Sequence, residues 1–319
     1  MTKLLKCAEA ELSQQVLKNL LLAKDKEGQS IWHMAAWKNY SHVFQNLMEW
    51  AEKANLNQQE FKELLLGKDN DGRTLWHSGT LNNHPEVYEW VSKMIKNPQE
   101  QEELLKELFL DKDKDEQTIW HLAARSSHSD VFKKLLDVAD KALSKEELWL
   151  LLLTEDMMGQ TAWQLSAKNG RAESLNTLWE WAKKVHLNKN ELKSKWLLSQ
   201  DCSGTAWHLA AHRGHINVLK KLWDWAREMK LNLKEDLLLV RDVSGRTAGH
   251  LAADMGKTET LEEIFHWVKK AKLKFEVDLL LAKDGNGQTP LEILKDCLFI
   301  SEDKKAEVLQ RWNSYLPRA

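Results

Sequence analysis

One phrase returns along this 319-residue chain at a nearly constant interval, and that recurrence restricts the fold more than any other feature. Its fullest copy is Thr205-Ala206-Trp207-His208-Leu209-Ala210-Ala211. Trp32, Trp76, Trp120, Trp163, Gly249 and Leu291 hold the position of Trp207 in the other copies, so successive copies stand 44, 44, 43, 44, 42 and 42 residues apart. The next residue is His33, His77, His121, Gln164, His208, His250 and Glu292 in turn, and Ser30 or a threonine stands two before the tryptophan position. Upstream, an apolar triplet precedes an aspartate in every copy, from Leu20-Leu21-Leu22 with Asp25 to Leu279-Leu280-Leu281 with Asp284. A fixed period of this size marks a repeat array, in which each unit buries its apolar face only against its neighbours.

The repeated unit therefore reads as apolar segment, Asp-containing turn, short helix, break and longer amphipathic helix. The Asp and Gly of Asp69-Asn70-Asp71-Gly72 suit a tight turn. Thr74 stands where it caps the short helix, and pairs such as Ala35-Ala36 and Ala210-Ala211 let neighbouring helices approach closely. Gly170, Gly214 and Gly256 fit a left-handed helix end, as do Asn39 and Asn83, whereas Ser127 in that slot predicts local irregularity in the third unit. The second unit, Trp76-His77-Ser78-Gly79-Thr80-Leu81, lacks the alanine pair and is expected to have the least ideal short helix.

These motifs resemble the ankyrin repeat, whose pattern runs Asp-x-x-Gly-x-Thr-Pro-Leu-His-x-Ala-Ala-x-x-Gly-His. Thr289-Pro290-Leu291 keeps the Thr-Pro-Leu form, and Gly214-His215-Ile216-Asn217-Val218-Leu219 carries the second half. The resemblance extends over roughly residues 25 to 312. It implies an all-α, ankyrin-like helical repeat solenoid with turn or β-hairpin tips, a concave binding face partly lined by those tips, and action by binding another protein. The units exceed an ordinary ankyrin repeat of about 33 residues by roughly ten. The surplus lies in stretches such as Leu187 to Leu198, where leucines spaced three and four apart predict a third short helix per repeat.

Along the chain, residues 1–24 read as a partial repeat, 25–283 as six repeats and 284–319 as a capping repeat, all in one domain because no Pro/Gly/Ser linker intervenes. Two readings compete at the start: a truncated cap, or a cut through a longer array. The polar helix predicted from Ser301 to Trp312 has the solvated face of a terminal cap.

Composition narrows the function. A formal net charge of −2 offers no basic surplus for nucleic acid. The longest apolar run, Leu148 to Leu153, is too short to span a bilayer. Lys3, Lys6 and Glu9 interrupt any signal peptide, and three scattered cysteines argue against a disulfide framework, so a cytoplasmic setting is expected. No nucleophile elbow, phosphate-cradling loop or zincin motif is present, so neither an enzyme nor a cofactor is expected. His208, His212 and His215 beside Cys202 invite a metal reading, but the repeat already accounts for His208 and His215, and no metal is expected.

Sixteen tryptophans likewise suggest an aromatic platform, yet Trp32, Trp76, Trp120, Trp163 and Trp207 recur at a core position, and Trp50, Trp181, Trp225 and Trp267 share a second register. Packing is the better account. Trp37 and Trp90 lie off both registers and are candidates for exposed contacts. The other candidates for partner binding are the variable tip residues Lys26, Glu27, Asn70, Asp71, Lys114, Asp115, Met157, Met158, Cys202, Ser203, Val243, Ser244, Gly285 and Asn286. Met157-Met158 is the one apolar pair expected to be exposed, and methionine surfaces adapt to partners. Self-assembly through the incomplete first repeat is the alternative to an adaptor binding another protein. A host-directed effector of a symbiont or parasite is a further possibility at the level of the family.

Overall fold

Each repeat is built outward from its turn. In the second, Asp69 Oδ1 accepts the backbone N–H groups of Asp71 and Arg73, both at 2.9 Å, closing the loop on itself. Gly72 then takes φ +77°, which an L side chain rarely adopts, and a Cβ there would stand 3.0 Å from the backbone N of Lys114. The third repeat makes the same loop with Glu116 at φ 56°. A glutamate in this region carries the strain of its Cβ against the backbone. Glu116→Gly is therefore expected to raise stability by about 0.5–1 kcal/mol despite glycine's looser unfolded state. Matched chemical denaturation curves check this, and a lowered midpoint would refute it.

The computed structural model describes residues 13–38, 40–89, 97–126, 129–184, 189–273 and 276–313. Its contacts fall into two units, Met1–Met157 and Met158–Ala319. In the first unit, the short first helices of the repeats are Ile31–Lys38, Leu75–Leu81 and Ile119–Arg125, packed in succession. In the second they are Ala162–Lys168, Ala206–Arg213, Ala248–Asp254 and Pro290–Asp296, likewise packed one on the next. Leu75–Leu81, Ala206–Arg213 and Ala248–Asp254 are each flanked on both sides by another first helix, and Ala210, Ala211, Ala252 and Ala253 have no exposed surface. The helix with Ser78-Gly79, expected to be the least ideal, is as long as Ile119–Arg125. Gly79 lets Val87 close in, and Thr80 bonds Trp76 O and the Tyr88 hydroxyl, so contacts replace what the alanine pair supplies elsewhere.

Second helices follow, among them Ser41–Lys53, Ser129–Ala142, Ala172–Lys184, Ile216–Glu228 and Thr258–Lys270. Left-handed residues join first to second helix at Asn83, Gly170, Gly214 and Gly256; Asn39 and Ser127 lie outside the described residues. The aromatic registers are packing registers. Trp32 meets Phe44 edge-on at 5.2 Å, Trp76 meets Tyr88 at 5.3 Å, and all five tryptophans of the motif are buried. In the sixth repeat, where Gly249 stands in that position, the apolar surroundings close to a void of about 20 Å³.

A third helix is present in each repeat. It runs Gln58–Leu66, Pro98–Leu110 and Lys145–Leu152 in the first unit, after a partial repeat's Gln14–Leu22. Asn57 with Glu60 and Ser144 with Glu147 form capping boxes at two of these starts. In the second unit two of the three segments depart from a plain α-helix: Lys189–Leu192 passes into a π-turn at Lys193–Leu197, and Leu233–Leu238 is π throughout, while Glu276–Leu281 is α-helical. Trp196-Leu197 and Leu237-Leu238 are buried there, as Leu64-Leu65 and Leu108-Phe109 are in the α-helical copies. Strand structure is slight. Gln200–Asp201 pairs antiparallel with Gly204–Thr205, and an isolated bridge joins Lys24 to Ser30.

Candidate interaction surface

The turn tips are tied together through their backbones. In the first unit the N–H groups of Asn70, Lys114 and Met157 donate to the carbonyls of Glu27, Asp71 and Asp115, at 2.8, 2.9 and 3.3 Å. In the second, Gly285 N–H donates to Ser244 O at 3.1 Å. With the backbone committed to this ladder, the side chains project outward. Lys26, Glu27, Asn70, Asp71, Lys114, Asp115 and Met157 are exposed in the first unit. In the second, Met158, Cys202, Val243, Ser244, Gly285 and Asn286 are exposed and Ser203 is half-buried. Trp37 is 43% exposed, and Trp90 lies outside the described residues.

Met157-Met158 is not the only apolar pair in solvent. Leu298-Phe299 is 92% and 70% exposed, and Val243 also stands out. The repeat pattern fades after Leu294, so the period gave no register by which to judge Leu298 and Phe299.

A second row was legible in the alignment of repeats but not singled out. The residue after the alanine pair is Trp37, Leu81 and Arg125 in the first unit, and Lys168, His212 and Asp254 in the second. This position is variable where its neighbours are monotonous. It ends each first helix on the side of the tips: Arg125 Nη1 reaches Gln117 Oε1 at 3.1 Å, and Lys168 Nζ reaches Gln160 Oε1 at 2.8 Å.

The comparisons with known proteins concern this arrangement of tips and first helices. A solved structure, the ankyrin repeat domain of Bcl-3, described as a unique member of the IkappaB protein family, superposes with a TM-score of 0.54. It covers 89% of this chain and 100% of that domain at 15% sequence identity. The fold is that of ankyrin repeats. No family model matches the sequence, and no curated protein matches it. The ankyrin architecture thus holds although the repeats are longer and each carries a third helix.

Behind the ankyrin tips, repeated side chains lock one repeat to the next. Thr74 caps its helix mainly through His77: the Thr74 N–H and hydroxyl both contact His77 Nδ1, at 3.2 and 2.9 Å. An amide N–H can only donate, so Nδ1 is the acceptor and Nε2 carries the proton, which it gives to Gln117 O of the following repeat at 3.3 Å. His33, His121, His208 and His250 repeat the arrangement toward Arg73, Thr154, Val240 and Ala282. Gln164 reproduces it with an amide, its oxygen accepting from Thr161 and its nitrogen reaching Ser199 O. Glu292 accepts from Thr289 but, as a carboxylate, has nothing to donate.

A second periodic set, of lysines not singled out by the motif, ties the repeats together. Lys24, Lys68 and Lys112 each send Nζ to the carbonyl of Lys68, Lys112 and Glu155, at 2.9, 2.9 and 3.0 Å. Their 44-residue spacing is the signal in the sequence.

Both ring nitrogens of His208 are engaged within the protein, and His215 Nε2 contacts Lys168 O at 3.1 Å. Cys202 is a free thiol whose Sγ points to Met158 O, and Cys297 is a free buried thiol. Among the described residues no three His, Cys, Asp or Glu side chains converge as metal ligands do, and no helix is long and apolar enough to cross a membrane.

Proposed function

We propose that the protein is a non-enzymatic adaptor that binds another protein along the turn tips and the ends of the first helices, the concave face of ankyrin proteins. The observation that carries this reading is the contrast between positions. The locking residues repeat with little change, while the tips and the position of Trp37, Leu81, Arg125, Lys168, His212 and Asp254 differ in every copy. Such a backbone presents many side chains already ordered, which lowers the cost of binding. The row turns from apolar at Trp37 and Leu81 to basic at Arg125 in the first unit, so a partner there meets an apolar contact followed by an acidic one. A cytoplasmic setting agrees with the free thiols of Cys202 and Cys297.

A second reading, self-assembly at the N-terminal end through the partial repeat of residues 1–24, draws on one observation in the repeat that follows it. Met34 is 45% exposed beside Trp37 and Tyr40, whereas its counterparts Ser78, Leu122, Leu165, Leu209 and Leu251 are buried.

The test is capture from a lysate of the source organism, repeated with two triple variants. Trp37→Ala with Leu81→Asp and Arg125→Glu changes the proposed face. Lys133→Ala with Asp137→Ala and Asp140→Ala changes exposed positions of the helix Ser129–Ala142. Loss of a stoichiometric partner with the first set alone is expected, and loss with the second alone would place binding elsewhere. Capture of nothing but further copies of the chain would favour self-assembly.

A further inference from the structure

Within the second unit, a polar cleft of about 230 Å³ opens where three repeats converge. Lys168 ends one first helix, His212 and Arg213 end the next, Ser203 comes from the hairpin turn and Arg246 from the turn of the following repeat. We propose that this cleft is an oxyanion site that takes a phosphate group, either free in solution or carried on a peptide side chain.

The charge balance supports it. Arg246 is neutralised by Asp242, Nη2 to Oδ2 at 3.0 Å, while Asp242 Oδ1 is held by the backbone of Ser244 and Arg246. The Lys168 ammonium bonds only the neutral Gln160 among the described residues. His212 lies in the field of three cations, Arg213, Arg246 and Lys168, and of one carboxylate, Asp254. Neither His212 nor Arg213 has a hydrogen-bond partner among the described residues, although His212 is half-buried. An ammonium, a guanidinium, an imidazole and the Ser203 hydroxyl, brought together from two first helices and the hairpin turn, supply more donors than one carboxylate accepts, and they suit a group with three terminal oxygens.

Protonation follows from the same geometry. Burial, with the positive charges of Arg213, Arg246 and Lys168, holds the His212 pKa below its usual value, against the opposing pull of Asp254. A bound anion reverses the sign of that local field, so His212 gains a proton as the anion binds.

The experiment follows the His212 ring resonances by NMR in the intact chain. Inorganic phosphate is compared with sodium chloride at equal ionic strength, with the exposed His266 as internal control. The expected result is a saturable shift at His212 alone, with its titration midpoint raised by about half a unit or more. Arg213→Gln, at an exposed side chain with no partner to lose, should weaken phosphate binding at least about fivefold while the rest of the spectrum is unchanged. A parallel titration with a phosphoserine tripeptide and its unphosphorylated form separates the two sources. Binding of the phosphopeptide about tenfold tighter than phosphate marks a peptide-borne group, and equal binding marks the free anion. Equal responses to chloride and phosphate, or equal movement of His266, would overturn the proposal. It stands or falls separately from the adaptor reading, because free phosphate needs no partner protein.

Discussion

Trp163→Ala is expected to remove about 3–5 kcal/mol from the stability of the second unit, the range for emptying a large aromatic site in a packed interior. Trp163 has almost no exposed surface and gathers three other indoles around it, with ring centres 4.6 Å from Trp196, 5.6 Å from Trp225 and 6.1 Å from Trp179. Trp179 and Trp225 stack on each other at 4.8 Å, so the rings support one another and cannot each relax into the gap. Phenylalanine at the same position should behave differently. The indole N–H of Trp163 has no partner among the described residues, and a buried donor left unmatched costs about 1–3 kcal/mol. Trp163→Phe deletes that donor together with part of the ring, so its loss should be well under half that of the alanine variant. Denaturant midpoints of the two variants decide the matter. Equal losses would mean that Trp163 is anchored by a polar contact rather than by ring packing.

That cluster also shows how much the sequence discloses. The period of 42–44 residues places Trp163 at a core position and Trp181 and Trp225 in a second buried register, because a side chain repeated at one slot of an array meets the same neighbours each time. The period also places Trp196 in the repeated apolar triplet before Asp201, but it does not disclose that Trp179 and Trp196 meet these rings. Trp196 arrives through the π-turn at Lys193–Leu197, and a wide turn leaves no mark in a pattern read at 3.6 residues per turn. The candidate surface divides in the same way. Tip residues such as Asn70 and Asp71 were legible because Asp and Gly fix the turn around them. The row through Leu81, Arg125, Lys168 and His212 was overlooked, since variable residues do not stand out until the invariant ones have been assigned. The oxyanion cleft was beyond reach, because Lys168, His212 and Arg246 come from three different repeats and meet only in space.

The histidine locks give the second large effect, and it depends on pH. Burial pushes the His77 pKa down to about 4 from the ordinary 6.5, outweighing the opposing pull of Asp111. Above pH 6.5 the ring is neutral in both states and contributes no pH dependence. As the pH falls below 6.5, the unfolded chain takes up a proton that folded His77 refuses, and stability is lost. The loss grows until about pH 4, where it reaches roughly 3 kcal/mol at 1.36 kcal/mol per unit. Geometry gives the same direction: a proton on Nδ1 would face the N–H of Thr74 donor to donor. Gln164 holds the equivalent place in the fourth repeat, so an amide satisfies both neighbours without titrating. His77→Gln should therefore lie close to the parent at pH 7.5 and exceed it progressively from pH 6 to pH 4. The measurement is the difference in unfolding free energy between the two proteins across that interval. Carboxylates elsewhere titrate in both proteins and cancel. A difference that stays flat would show that His77 carries its proton in the folded chain, and the lock would then need another acceptor at Thr74.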